Sequence, residues 1–327
     1  MTGYMVKRFA YMLAAMVLMS FVSFVLINLP PGNYVEMYVR QLEMSGTRVD
    51  DSMIANLERR YGFGLPFHMR YLRWVQGMFR GDFGRSFQWN RPVIDLVMSR
   101  LPFTVAVSAL SILFTYVVAV PIGIYSATHQ YSFGDYIVTV FGFLGLAIPN
   151  FLFALVLMYF LFIYFGVSPG GLFSPEYAEA PWSLGRLIDL IQHMIVPIVV
   201  IGTAGTAGLI RTMRATLLDE LGKDYVDTAR MKGVSELRLL YKYPVRMAVN
   251  PVLSTLGWLL PAVVSGETIV AIVLNLPTVG PLLLSSLMSQ DMYLAGTIVL
   301  MLTFLTLIGT FLSDLLLAWS DPRIRYE

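Results

Sequence analysis

Long apolar runs separated by polar stretches set the pattern of this chain. The first, about Phe9 to Leu29, is roughly as long as a bilayer is thick and follows Lys7 and Arg8. It is too long for a signal-peptide core and lacks a small-residue cleavage site, so it reads as a retained span. Further runs cover about 103–125, 136–165, 191–210, 251–275 and 294–319, which predicts six spanning helices. The 136–165 run exceeds bilayer thickness, so it must tilt or break, with Pro149-Asn150 the expected break. Such a break either lines a polar path, with Asn150 on it, or is a kink packed by neighbouring helices.

A polar region of about 70 residues follows the first run. Pro30-Pro31-Gly32 ends that helix. Asp50, Asp51 or Ser52 can then cap a short helix bearing Ile54, Leu57 and Tyr61, broken by Gly62 and Gly64. Pro66 starts a second helix with a buried stripe of Phe67, Tyr71, Trp74, Val75 and Met78. The region holds ten of the 23 Lys and Arg residues. A loop this long does not obey the positive-inside rule, so those cations do not place it in the cytoplasm. The natural division is 1–100, the first span plus an external helical region, and 101–327, the remaining membrane domain. The stretch 166–189, rich in Gly, Pro, Ser and aromatics, reads as a second external loop with Trp182 at the interface.

The other long polar segment, 219–250, reads as two short helices meeting at an elbow. Asp219, Glu220 and Asp224 favour the positive end of the first, Gly233 ends it in a left-handed conformation, and Ser235 caps the second. On the second helix Leu237, Leu240 and Tyr241 share one face, and Arg238, Lys242 and Arg246 recur every fourth residue on another. The segment is either a docking handle or a solvated loop whose cations hold membrane orientation. Residues 211–246 carry eight Lys and Arg, against Arg186 alone in the loop after the third span and none after the fifth. That asymmetry puts the elbow, and with six spans both termini, in the cytoplasm.

Composition narrows the class. With 57% apolar or aromatic residues and 13% charged, against about 25% charged in soluble domains, this is an all-α integral membrane protein. Cysteine is absent, which excludes disulfides and thiolate chemistry. A net charge of +2 gives no reason to expect a nucleic-acid partner. No phosphate-binding G-x-x-x-x-G-K-[ST] motif occurs, so any ATP must be bound by another chain. His68, His129 and His193 lack metal-ligand spacing, and no catalytic triad or carboxylate pair is visible. Gly202, Gly205 and Gly208 precede Arg211 and Arg214, but glycines inside a membrane helix read as close helix packing, not a phosphate cradle. Glu267 is the carboxylate well inside a span, either contacting a polar group in a path or bonded to a neighbouring helix.

Asp227-Thr228-Ala229, with Gly233 four residues on, resembles the Glu-Ala-Ala signature of ABC-importer permeases, with Asp for Glu and Thr for the first Ala. Tyr243-Pro244-Val245-Arg246 is similar to the His-Ala-Leu-Arg run of the peptide-permease subfamily. Gly81-Asp82-Phe83-Gly84, the 276–283 and 290–293 stretches, and the tail Asp321-Pro322-Arg323-Ile324-Arg325 also resemble the dipeptide, oligopeptide and nickel permeases. Two departures are Ala271, where that family usually carries a glutamate, and Gln290, where it carries arginine.

The resemblance implies a type I ABC importer permease fold and no catalysis in this chain. It implies a homologous second permease, two ATPase subunits carrying ATP and Mg, an extracytoplasmic solute-binding protein, and a bacterial or archaeal plasma membrane. Cargo would be peptides or, in relatives, oligosaccharides, opines or nickel chelates. Asp224, Tyr225, Asp227, Ala229, Lys232 and Gly233 would make the ATPase contact, with Glu267 and Asn150 candidates for the path. An ion-driven secondary transporter is the rival class; it would need more intramembrane ionisable residues than Glu267, and many such folds carry inverted repeats.

Overall fold

A computed structural model describes residues 2–28, 39, 50, 54, 56, 65–86, 88–167 and 169–320. The short helix expected near Ile54, Leu57 and Tyr61, the Pro30-Pro31-Gly32 stop and the tail from Asp321 lie wholly or mostly outside the described residues. Helix is the regular structure among the described residues, with one isolated bridge, Arg85 to Pro92. The helices are α1 (Thr2–Ile27), α2 (Phe67–Phe79), α3 (Val93–Met98), α4 (Leu101–Thr128), α5 (Phe133–Ala147), α6 (Asn150–Phe165) and α7 (Leu184–Leu221). They continue as α8 (Asp224–Met231), α9 (Glu236–Lys242), α10 (Pro244–Ser254), α11 (Leu256–Val273), α12 (Val279–Met288) and α13 (Met292–Ser320).

Four stretches are long and apolar enough to cross a bilayer: Met5–Val25, Val93–Thr128, Leu184–Leu221 and Met292–Leu316. The α5–α6 pair makes a fifth if counted as one span. That pair bends by 106° at the expected place. Ile148, before the proline, is extended (φ −88°, ψ 121°), and Pro149 starts α6 as its N-cap. A residue preceding proline is pushed out of the helical region, which sets the break.

The run expected as one fifth span is divided. α10 and α11 meet at Thr255. The Val252 carbonyl accepts from the Thr255 amide at 3.2 Å, the Thr255 hydroxyl at 2.7 Å and the Tyr116 hydroxyl of α4 at 3.1 Å. These donors occupy the acceptor that a continuing helix would offer four residues on. No apolar-periodicity argument contains Tyr116, so the break was invisible in sequence.

The chain forms two compact units. One comprises Met1–Phe9, Phe103–Gly280 and Thr306–Glu327. Its first core joins α4, α6, α7 and α11 through Val107, Ala154, Val200, Ile201, Leu259 and Ala271. A second core joins α4, α7 and α10 through Ala119, Ile124, Met213, Leu217, Val245 and Ala248. Close packing of small residues is seen at Gly202 and Gly205. A Cβ at Gly202 would meet Phe114 at 2.5 Å, and one at Gly205 would meet Leu259 at 2.9 Å. Gly208 faces open space, so it takes no part.

In the first turn of α7, Arg186 lies over the rings of Phe173 and Trp182 from the preceding loop, 4.7 Å from each centroid, and donates to the carbonyls of Ala178 and Ala180. Asp189 accepts from the Ser174 amide at 2.8 Å and its hydroxyl at 2.5 Å.

The other unit comprises Ala10–Pro102 and Pro281–Leu305. The predicted stripe on α2 packs as expected: Trp74 is buried with Phe24 and Leu300, and Tyr71, Val75 and Met78 lie against them. Gly81 and Gly84 both have positive φ, 78° and 81°. Gly84 has a second constraint, since a Cβ there would meet the Tyr293 ring at 2.8 Å.

Candidate functional site: a capped elbow between membrane helices

The elbow is built from α8 and α9. Asp224 and Asp227 sit in the first turn of α8 and Arg230 in its last, complementing the helix dipole. Gly233 then takes φ +75°. Its amide bonds the Arg230 carbonyl at 3.0 Å, and the Val234 amide bonds the Ala229 carbonyl at 3.3 Å. This is the paired hydrogen-bond pattern of a left-handed helix stop. Ser235 occupies the N-cap position of α9, but its side chain makes no capping bond, contrary to expectation. Asp219 and Glu220 also differ from expectation. They end α7 rather than begin the elbow helix. There Glu220 is compensated by Lys223 at 2.5 Å and by the Tyr225 hydroxyl at 2.6 Å. Partial desolvation of the phenol, and then the Glu220 carboxylate, push Tyr225 above its usual pKa.

Val226, Ala229 and Leu239 form the small core of the elbow, with Val234 and Tyr243 against it. Full burial of Leu239 contributes about 2 kcal/mol, so the core matters more to rigidity than the exposed Arg230 pairs with Asp227 (2.8 Å) and Glu236 (2.9 Å). Leu240, next to Leu239, packs instead on the core shared by α4, α7 and α10. Thr216 of α7 also bonds the Ala248 carbonyl of α10 at 3.2 Å. The elbow is thus fastened to both helices that enter and leave it.

The side chains expected to share one face, Leu237, Leu240 and Tyr241, differ in burial, Leu240 being half-buried. Leu239 is the inward residue, while Leu237 is 74% exposed and Tyr241 59%. Met231 at the end of α8 is 83% exposed. The elbow therefore exposes large apolar side chains on an otherwise polar segment that also exposes Arg238, Lys242 and Arg246. Among the residues singled out in the sequence, Asp224, Tyr225, Asp227, Lys232 and Gly233 are exposed on the elbow, whereas Ala229 is turned into its core. Asn150 is half-buried at the start of α6, away in the chain from the elbow. Glu267 lies on α11, and its side chain is outside those described.

Sequence reasoning did not find two polar anchors. Asp135, buried, accepts from the Ser126 hydroxyl, the Tyr131 amide (3.0 Å) and Arg214 (2.9 Å). Asp291, fully buried, accepts from the Ser86 hydroxyl at 2.5 Å and the Gln88 amide at 3.2 Å. Arg214 lies 79 residues from Asp135, and Ser86 lies 205 from Asp291, beyond any local motif. Among the described residues no group of three or more His, Asp or Glu is placed to hold a metal ion.

The family described as "Binding-protein-dependent transport system inner membrane component" matches residues 119–326, and its N-terminal counterpart matches residues 1–108. The oligopeptide transport system permease protein AppB of Bacillus subtilis is 32% identical over the full length of both chains. OppB of Haemophilus influenzae, also named an oligopeptide transport system permease protein, is 29% identical over the full length of both. The peptidoglycan transport system permease protein YejB of Agrobacterium fabrum is 28% identical, covering 100% of this chain and 99% of that one. An all-helical chain with several bilayer-length apolar helices, matched from end to end in this way, belongs to the family of binding-protein-dependent transport system inner membrane components.

Proposed function

We propose that this chain is the permease subunit of an ATP-driven, binding-protein-dependent importer of peptides. The observation that carries the reading is the elbow: a capped, internally packed unit that shows Met231, Leu237 and Tyr241 to water and is fastened to α7 and α10. Exposed apolar side chains among cations on a packed, capped segment suit docking to a protein, and the partner that suits this family is an ATP-hydrolysing subunit. The peptide cargo is inferred from the full-length relatives, which are named oligopeptide transport system permease proteins.

In this reading six spans place both termini and the elbow in the cytoplasm. α11 serves as the membrane part of the fifth span, and the region between the first two spans faces outward. A homologous permease completes the path, two ATPase subunits lie beneath, and an extracytoplasmic solute-binding protein delivers cargo. The chain performs no catalysis and holds no cofactor; ATP and Mg reside on the partners. Asp224, Tyr225, Asp227, Lys232 and Gly233 lie at the ATPase contact, and Ala229 sets the inner packing that keeps α8 and α9 together. Asn150 and Glu267 are path candidates.

ATP drives such a device only by binding two states of the ATPase pair with different affinity. The elbow carries that difference into α7 and α10, whose shared core with α4 moves with it. The test is uptake of a labelled peptide by the complete complex in sealed proteoliposomes. Uptake should require ATP and persist when ion gradients are dissipated. Uptake that ignores ATP and collapses with the gradient would establish the secondary-transporter class instead.

A further inference from the structure

We propose that the groove between α5 and α7 binds one phospholipid with an anionic headgroup, at the elbow end of α7. The groove has a volume of about 160 Å³. Val138, Gly142, Leu146, Ala207 and Ile210 make its apolar length, and Arg211 and Arg214 close one end with Ser126 and Thr139. The polar groups at that end are unequally satisfied. Ser126 donates to the Asp135 carboxylate, and Thr139 donates to the Asp135 carbonyl at 2.8 Å. Arg214 is neutralised by Asp135 at 2.9 Å, yet its Nε is buried without a hydrogen-bond partner among the described residues. Arg211 is exposed and makes no described hydrogen bond or ion pair.

One net positive charge therefore stands at the mouth of an apolar trough. Such a pattern is complementary to an anionic phosphate joined to an acyl chain. A soluble anion would leave the trough unfilled, and a zwitterionic headgroup would bring its own cation against Arg211. Position agrees: Arg211 follows immediately on the apolar run 191–210, at the level where headgroups lie. The placement rests on the reading that α7 crosses the bilayer. The lipid readout is independent of transport, so either can fail without the other.

The experiment extracts the complete complex in detergent, exchanges its lipid for equimolar phosphatidylglycerol and phosphatidylcholine, and measures retained lipid by mass spectrometry. Phosphatidylglycerol should be retained preferentially. Arg211→Gln should lower its retention about five-fold, without changing phosphatidylcholine or thermal stability. A Cβ at Gly142 has only Ala207 nearby, at 3.9 Å, so Gly142→Leu should fold, fill the trough and lower retention of both lipids. Equal retention of the two lipids, indifference to Arg211→Gln, or displacement of phosphatidylglycerol by inorganic phosphate would overturn the proposal. So would a map with a protein helix seated in the groove.

Discussion

Gly233→Trp is expected to leave the chain folded and inserted while abolishing both peptide uptake and cargo-stimulated ATP hydrolysis. Gly233 sits at φ +75° with nothing within 4 Å of a Cβ built there. The chain itself therefore has room for the side chain, and the intrinsic cost is the left-handed backbone, about 1–2 kcal/mol. What a tryptophan cannot do is leave the outer surface unchanged, because position 233 is exposed between α8 and α9. If the elbow works by seating in a partner, the added bulk holds the two apart. Gly233→Ala separates the effects, since it carries the same backbone strain with little bulk, and it should retain much of the uptake. Normal uptake by the tryptophan variant, measured at equal membrane abundance, removes the docking role from this face.

Asp291→Ala should produce the largest loss of stability. Asp291 is fully buried and accepts from Ser86, from the Gln88 amide and, at 3.2 Å, from the Leu294 amide at the start of α13. Ser86 in turn accepts from the Trp89 amide at 3.0 Å. Alanine leaves the buried Ser86 hydroxyl and Leu294 amide, and the Gln88 amide, without this acceptor, at a cost of about 3 kcal/mol or more. Asp291→Asn keeps one carbonyl oxygen and should fall between wild type and alanine. The check is the fraction of detergent-solubilised protein that stays monodisperse across a temperature series. Three indistinguishable curves would mean that the Ser86 and Gln88 contacts hold nothing together.

Four of the expected membrane helices, and the bent α5–α6 pair, were legible because a bilayer-length apolar run needs no partner to be recognised. Gly233 was legible too, since the residue and its helix context dictate the backbone. The inward residue of α9 was not. Seven residues make only two turns, and Leu237, Leu239, Leu240 and Tyr241 offer competing apolar faces, so packing against Val226 and Ala229 decides. The separation of α10 from α11 depends on Tyr116, more than 130 residues earlier. The same limit hid Asp135 and Asp291, whose neighbours in sequence give no sign of Arg214 or Ser86.

The most direct test of the elbow as the transmission element is site-specific cross-linking. The chain contains no cysteine, so one introduced thiol is unique within it. Leu237→Cys, labelled in the assembled complex with a maleimide that carries a photoreactive benzophenone, should cross-link on illumination to an ATP-hydrolysing subunit, and Trp182→Cys in the loop before α7 should not. A thiol at 237 whose label cross-links to no such subunit, or that is modified by a membrane-impermeant reagent added from outside the cell, would contradict the account.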